Sequence, residues 1–357
     1  MATGVYQPTR AYYLPGWLRR LLGKTSTTFL ALFVLALFLG PLGYMITHGF
    51  KDVSQITDPQ SPKLYPASRR VYVYEGKEYP IYEVPTEDGF QEWALFKKGR
   101  EESEFIDPAN PEAGPILWEG RWRTLTPAWE LDPKWENFAT AWRMINFTRL
   151  FRNTFIIAIT STIGTVVSSI FVAYGFSRFD FRGKDVLFIV LIATIILPFQ
   201  ATLIPTYIFF SRIGWTNTLL PLIVPHFFSN AYNVFLLRQY FMTIPRELDE
   251  AAMIDGASPL RVLFSVIIPQ SIPAITAVSL FHFFWAWNDF FAPLVYLAGK
   301  RDLHPISVGI QQFNALYGRE PHLIQTSALI AMILPVTIFF LAQRIFMQGI
   351  VFTGVEK

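Results

Sequence analysis

The residues whose types and spacing carry chemical information are concentrated in one stretch, residues 244–269, IPRELDEAAMIDGASPLRVLFSVIIP. Pro245 is suited to open a helix, and Glu247, Asp249 and Glu250 crowd its first turn, where the helix dipole favours anions. Leu248, Ala251, Ala252 and Ile254 predict a compact apolar face. Gly256 supplies the left-handed residue that closes a short helix, and Ser258 and Pro259 supply the N-cap and first position of a second. In that second helix Leu260, Leu263, Phe264 and Ile267 recur at helical spacing, and Pro269 and Pro273 mark its break. The chemistry on offer is recognition rather than bond-making. Glu250 and Asp255 are carboxylates of the kind arginine pairs with, and Ala251 and Ala252 admit close approach by a partner. The same pattern would also serve a plain amphipathic connector lying on a membrane, because acid–Ala–Ala alone is commonplace in helices.

Other chemistry is thin. The chain has no cysteine, which excludes a thiolate nucleophile, a disulfide framework and cysteine-ligated metals. No G-x-x-x-x-G-K-[ST] loop is present to cradle a nucleotide. His226 has no evident second ligand, so no metal site and no catalytic residue is predicted. Trp287, Asn288 and Asp289, near the end of an apolar run, are candidates to line a pathway through the membrane. An ionisable side chain in a membrane span is a functional candidate by default. For Asp289 this leaves a proton relay, as in a secondary transporter, beside a local hydrogen-bonding role facing a partner subunit.

The elements that must position these residues are membrane spans. Of 357 residues 52% are hydrophobic, 17% aromatic and only 16% charged. That is more apolar surface than one soluble core of this size buries, so lipid must solvate part of it. A net charge of +3 with no long basic run excludes a nucleic-acid binder. Six stretches are long and apolar enough for a bilayer core of about 30 Å: residues 27–47, 155–176, 186–210, 218–237, 272–297 and 324–346. The first is too long for a signal-peptide core and lacks a small-residue cleavage site, so it is expected to be retained. Lys and Arg in the short flanks number twelve on the face carrying both termini and four on the other, which predicts cytoplasmic termini. The expected organisation is a cytoplasmic segment at 1–26, a first helix over 27–50, an extracytoplasmic insert with a re-entry segment over 51–150, a core of five helices over 151–347 containing the loop 244–273, and a cytoplasmic tail at 348–357. In the insert, apolar and polar residues alternate around Gly76 and again around Gly99, predicting two hairpins, with a further strand over 116–125. The insert is either an ornament or a docking surface.

The full spacing of Glu250-Ala251-Ala252, Asp255-Gly256-Ala257 and Ile267-Ile268-Pro269 resembles the EAA loop of bacterial ABC importer permeases. Ile213-Gly-Trp-Thr-Asn-Thr218, Trp287-Asn288-Asp289-Phe290 and the tail from Gln348 are similar to segments of the carbohydrate-uptake permeases, in particular the maltose-transporter G-type subunits, with Asp where they usually carry Glu. The insert has no counterpart in that resemblance. What the resemblance implies is an all-α membrane fold of six helices, the type I importer permease, with the β-rich insert added between helices 1 and 2. It implies no enzyme activity and no cofactor in this chain. ATP and Mg would be held by a separate ATPase dimer that grips Glu250, Ala251 and Ala252. A second homologous permease, an extracellular solute-binding protein, a carbohydrate substrate and the lipid of a bacterial or archaeal plasma membrane complete the expected partners. Loop residues Gln311, Gln312, Asn314 and Tyr317 align with a loop that probes the binding protein's sugar cleft, and the last residues 354–357 either reach between the ATPase subunits or fray. Within the same family another solute such as glycerol phosphate is the alternative cargo.

Overall fold

The computed structural model describes residues 15–87, 89–311, 313 and 320–351. Two compact units divide at Pro133 and Lys134. The first begins with α1 (Gly16–Gly49), whose apolar side chains, Phe29 and Phe38 among them, are exposed along its length. A helix apolar on every side needs a non-aqueous surrounding. The short α2 (Val53–Thr57) follows, started by the Asp52 carboxylate, which accepts from the Gln55 amide.

The rest of this unit is antiparallel sheet. A two-stranded ribbon pairs β1 (Ala67–Arg69) with β8 (Trp129–Leu131). The larger sheet runs β2 (Val71–Tyr74), β3 (Lys77–Thr86), β4 (Gly89–Lys97), β5 (Glu102–Ile106), β6 (Ile116–Glu119), with β7 (Thr126–Pro127) beside β3. Residues of alternate parity face opposite sides, as a strand requires: Tyr82, Val84, Leu95 and Phe105 form one core with Trp93, Trp118 and Trp122, while Ile81 and Ala94 pack with Tyr72 and Tyr79 on the other side. The hairpins around Gly76 and Gly99 form as their sequence predicts. The strand expected over 116–125 stops at Glu119, because Trp122–Thr124 turns into a 3₁₀ helix that sets the Trp122 ring edge-on to Tyr82.

The second unit is helical: α3 (Glu136–Met144), α4 (Phe147–Arg178), α5 (Lys184–Ala193), α6 (Phe199–Arg212), α7 (Leu220–Ile223), α8 (Ala231–Thr243), α9 (Arg246–Ile254), α10 (Pro259–Val262), α11 (Ile268–Gln270), α12 (Ile272–Asn288), α13 (Phe291–Tyr296), α14 (Ile306–Gly309) and a final helix Pro321–Val351. Among the described residues of the whole chain, four helices are long and apolar enough to cross a membrane, and two further bent pairs meet the same test, α5 with α6 at 99° and the helix ending at Gln270 with α12 at 80°. The apolar run 186–210 is therefore not one straight rod. Pro198 disfavours helical backbone at Leu197, which sits at ψ 117 between the two halves. The run 218–237 is also broken. Pro221 and Pro225 leave a 3₁₀ segment, Val224–Phe228, after which Ser229 adopts φ 77 and the Asn230 carboxamide oxygen accepts from the Tyr232 and Asn233 amides to start α8.

α4 is the post of this unit. The middle of its buried face carries small residues, Ser161, Gly164, Thr165, Ser169 and Ala173, so neighbouring backbones come close there, as membrane helix packing favours. A Cβ at Gly164 would lie 2.6 Å from the Phe227 ring, so only glycine lets the broken segment sit there. At the end of α4 near Asn146, the Asn153 carboxamide donates to the carbonyls of Asp302 and His304 at 2.7 and 3.1 Å, and the Ile306 amide donates to Thr154 Oγ1 at 2.8 Å. Asn153 is buried, so Asn153→Leu would strand two loop carbonyls. It is expected to cost about 1–3 kcal/mol, read as a lower unfolding temperature in detergent.

Candidate functional site: the helix–glycine–helix elbow

α9 and α10 form the predicted elbow, and its geometry follows from local backbone demands. α9 ends in a paired-carbonyl cap. The Ala257 amide donates to the Ala252 carbonyl at 2.9 Å and the Gly256 amide to that of Met253 at 3.0 Å, with Gly256 at φ 82. These are the two bonds that close a helix on a left-handed residue. Ser258 then caps α10 by accepting from the Arg261 amide. The chain continues through a π-helical turn, Leu263–Ile267, to Pro269, which is exposed, and bends at Ser271 into α12.

The side chains sort themselves differently from the apolar face expected of α9. Glu250, Ala251, Asp255 and Gly256 are exposed, as are Leu248 and Ile254. The two alanines of the motif part company: Ala251 faces outward, whereas Ala252 and Ala257 pack against the chain's own core of Tyr174, Val234, Phe241, Val262 and Leu263. Asp249, expected in a first turn where the helix dipole favours anions, is buried. Its Oδ2 lies 2.6 Å from Arg178 Nε at the end of α4, and both side chains are less than a tenth exposed. Arg178 also donates through Nη2 to the Ile244 carbonyl at 3.0 Å, and the Tyr174 hydroxyl donates to the Pro259 carbonyl at 2.9 Å. Burial pushes the Asp249 carboxyl up from its ordinary value against the opposing pull of Arg178 and Arg246.

The elbow is thus bolted to the end of α4 on one side and presents acids and apolar side chains on the other. Met253, Ile254, Leu260 and Phe264 are about half exposed or more. Sequence reasoning missed the Arg178–Asp249 pair. Arg178 counted only as one of the flanking positive charges, and nothing local to α9 asks for it.

The remaining candidates are spread. Trp287 is buried among Phe151, Phe155 and Phe283, with ring centroids 5.4–5.6 Å away. Asn288 is exposed and donates to the Phe284 carbonyl. Asp289 lies past the end of α12, where Oδ1 accepts from the Ala292 amide at 3.4 Å and its carbonyl accepts from Ser307 at 2.6 Å. That is the placement of an acid starting α13. Gln311 is exposed in the loop after α14, while Gln312, Asn314, Tyr317 and residues 354–357 lie outside the described residues. Among the described residues no cluster of metal-ligating side chains is present.

Residues 164–351 match the family "Binding-protein-dependent transport system inner membrane component", over more than half of the chain, and the chain belongs to that family of membrane permease subunits. It is 32% identical over 255 residues to the osmoprotective compounds uptake permease protein GgtD of Synechocystis sp., covering 71% of this chain and 85% of that protein. It is 28% identical to the alpha-glucoside transport system permease protein AglG of Rhizobium meliloti, over 65% of this chain and 62% of that one. With the sn-glycerol-3-phosphate permease UgpE of Pectobacterium atrosepticum the identity is 30%, over 64% and 82%. Among solved structures, a chain of a bacterial ABC transporter involved in the import of the acidic polysaccharide alginate superposes with a TM-score of 0.63 at 18% identity, covering 96% of this chain and 99% of that one. The fold is therefore that of a type I ABC permease, with a β-rich region following the first helix. The importer-permease resemblance carried by the EAA spacing holds.

Proposed function

We propose that this chain is one of two permease subunits of an ATP-driven, binding-protein-dependent carbohydrate importer, crossing the plasma membrane six times with both termini in the cytoplasm. The observation that carries this reading is the elbow. It has a rigid inner side, fixed to the core by Arg178, Tyr174, Ala252 and Ala257, and an outer side that exposes Glu250, Ala251 and a patch of apolar side chains. Such a body transmits force from whatever grips it. An ATPase dimer holding ATP and Mg would pair an arginine with Glu250 and seat Ala251 in a cleft. When the ATPase closes, the elbow would move as a unit and draw α4 with it, as well as α8 and α12, switching the cavity between inward- and outward-facing states.

On the opposite side of the membrane, the β-rich insert and the loop containing Gln311, Gln312, Asn314 and Tyr317 would meet the extracellular solute-binding protein. The alpha-glucoside permease among the relatives supports a carbohydrate as cargo, and the sn-glycerol-3-phosphate permease supports the alternative within the same family. The local hydrogen bonds of Asp289 support a positioning role for that acid and argue against a proton relay.

The test is uptake into vesicles containing the permease pair and its ATPase, with the binding protein added. Labelled maltose is expected to accumulate only with ATP and binding protein together. Accumulation driven by a proton gradient alone would overturn the reading.

A further inference from the structure

The span α1 ends at Gly49, and the insert leaves it through a short segment that is tied back to the helix end. The buried Lys51 amine donates to the carbonyls of Pro62 and Lys63 at 3.3 and 2.7 Å. Gln55 of α2 is buried too. Its carboxamide nitrogen donates to the carbonyls of Pro62 and Tyr65 at 3.0 and 2.9 Å, and its oxygen accepts from the Ala67 amide at 3.0 Å. The Ser61 hydroxyl donates to the Gln55 carbonyl at 2.7 Å, and the Asp132 amide to that of Pro66 at 3.2 Å. Residues 58–66 are thus a knitted turn and not a slack connection. Held out on it, Leu64 is 86% exposed and Tyr65 44%. Leu131, paired with Ala67 across the β1–β8 ribbon, is 70% exposed, and Val53 of α2 38%.

Three physical points say what meets these side chains. The first is level. Tyr44 lies five residues before Gly49, roughly 7.5 Å along the helix at 1.5 Å per residue, and stacks on His48 with ring centroids 3.7 Å apart. Rings with a polar tip belong where hydrocarbon gives way to headgroups, so the end of α1 stands at that boundary. The bonds from Lys51 and Gln55 hold Leu64 and Tyr65 within about a side chain's length of the same level. The second point is rigidity. A turn fastened by two buried polar side chains does not fold in to hide Leu64, and an apolar tip held in water is unfavourable. The third is area. Four side chains fall well short of the ~800 Å² that each partner buries in a standard protein interface. Lipid sets no such minimum, because each apolar side chain enters it independently and gains in proportion to its own area. Tyr65, with an apolar ring and a hydroxyl, is also the residue type that headgroup level favours.

We infer that α2 and the turn 58–66, with Leu131 beside them, form a foot that rests on the lipid surface, with Leu64 and Leu131 entering the acyl boundary and Tyr65 lying among the headgroups. Such a foot fixes the height and tilt of the β-sheet over the membrane, whatever solute the transporter carries. It lies outside residues 164–351, the part that matches the family.

The chain contains no cysteine, so single cysteines can be introduced and spin-labelled without further change to it. Leu64→Cys and Leu131→Cys are compared with Val73→Cys, another exposed apolar site. Val73 lies six residues beyond Ala67 along β1 and β2, up to roughly 20 Å away at 3.3 Å per residue. The whole transporter, with any cysteines of its other subunits replaced by serine, is placed in nanodiscs of phosphatidylethanolamine and phosphatidylglycerol. Relaxation of each label is measured with oxygen, which partitions into lipid, and with a water-soluble nickel complex. At Leu64→Cys and Leu131→Cys oxygen is expected to act and the nickel effect to be lost, whereas at Val73→Cys nickel should act fully. Full nickel access at both foot positions would overturn the foot. Protection from both reagents there would overturn it too, because a protein partner would then cover the patch. A phosphatidylcholine carrying a photoreactive group near its glycerol backbone tests the same surface on the unsubstituted chain. Adducts are expected on residues 53–65 as well as on α1, and adducts confined to α1 would leave the insert clear of the lipid and the foot refuted.

Discussion

Replacing Arg178 by leucine is expected to abolish ATP-coupled uptake while leaving the protein inserted in the membrane. The substitution leaves the Asp249 carboxylate buried without its partner, with Oδ1 already lacking a hydrogen bond among the described residues. Removing one member of a buried ion pair costs about 3–5 kcal/mol, whereas replacing both by apolar residues is often neutral. The double variant Arg178→Leu/Asp249→Leu is therefore expected to regain most of the order of α9. It still forfeits the bond from Arg178 to the Ile244 carbonyl, worth about 1 kcal/mol.

Amide hydrogen exchange over residues 246–257 reads this directly, fast in the single variant and slowed again in the double one. Co-purification of the ATPase should follow the same order. The pH dependence has a definite sign. In the single variant burial acts on Asp249 without Arg178 to oppose it, so the folded carboxyl lies above its unfolded value. Order in α9 is then greatest at low pH and is lost as pH rises through the folded value. Slow exchange in Arg178→Leu at neutral pH would show that the elbow is held by its apolar contacts alone, and the ion pair would lose its positioning role.

The parts of this molecule that the sequence made legible are those with local causes. Gly256, Ser258 and Pro259 dictate a helix end, a cap and a helix start within a few residues, so the elbow could be predicted without knowing its surroundings. The Gly76 hairpin is legible for the same reason: Glu75 and Gly76 both take positive φ between strands of alternating pattern. What could not be read depends on distant partners. An acid in a helix's first turn suits the dipole and reads as solvated, so nothing at Asp249 announces that Arg178 will bury it. Hydropathy likewise reports that residues 186–210 and 218–237 are apolar, but not that they break. Prolines are tolerated in membrane helices, so Pro221 and Pro225 permit a break in the fourth run without announcing one, and the close approach of Phe227 to Gly164 on another helix is not visible in the sequence. His226 looked solitary because its neighbours, His282 and Trp285, belong to another helix.

Gly256 offers the second large effect and separates a backbone role from a docking role. Its φ of 82 is a conformation that L-residues reach at a cost of about 1–2 kcal/mol, and a β-branched residue at a higher one. Yet a Cβ built there meets nothing within 4 Å, so within this chain the objection to a side chain is conformational and not steric. The ranking follows from that distinction. Gly256→Val should unravel the bonds from the Gly256 and Ala257 amides, redirect α10 and cut both ATPase co-purification and uptake by tenfold or more, the equivalent of about 1.4 kcal/mol. Gly256→Ala should lie between. Gly256→Asn should come closest to the parent, because asparagine visits the left-handed region most readily after glycine. Uptake and co-purification measured across the three variants decide the matter. Should asparagine, which is larger than alanine, prove as damaging as valine, then the space beside Gly256 is filled in the assembled transporter by the ATPase itself. The glycine would in that case be needed for close approach and not for the turn.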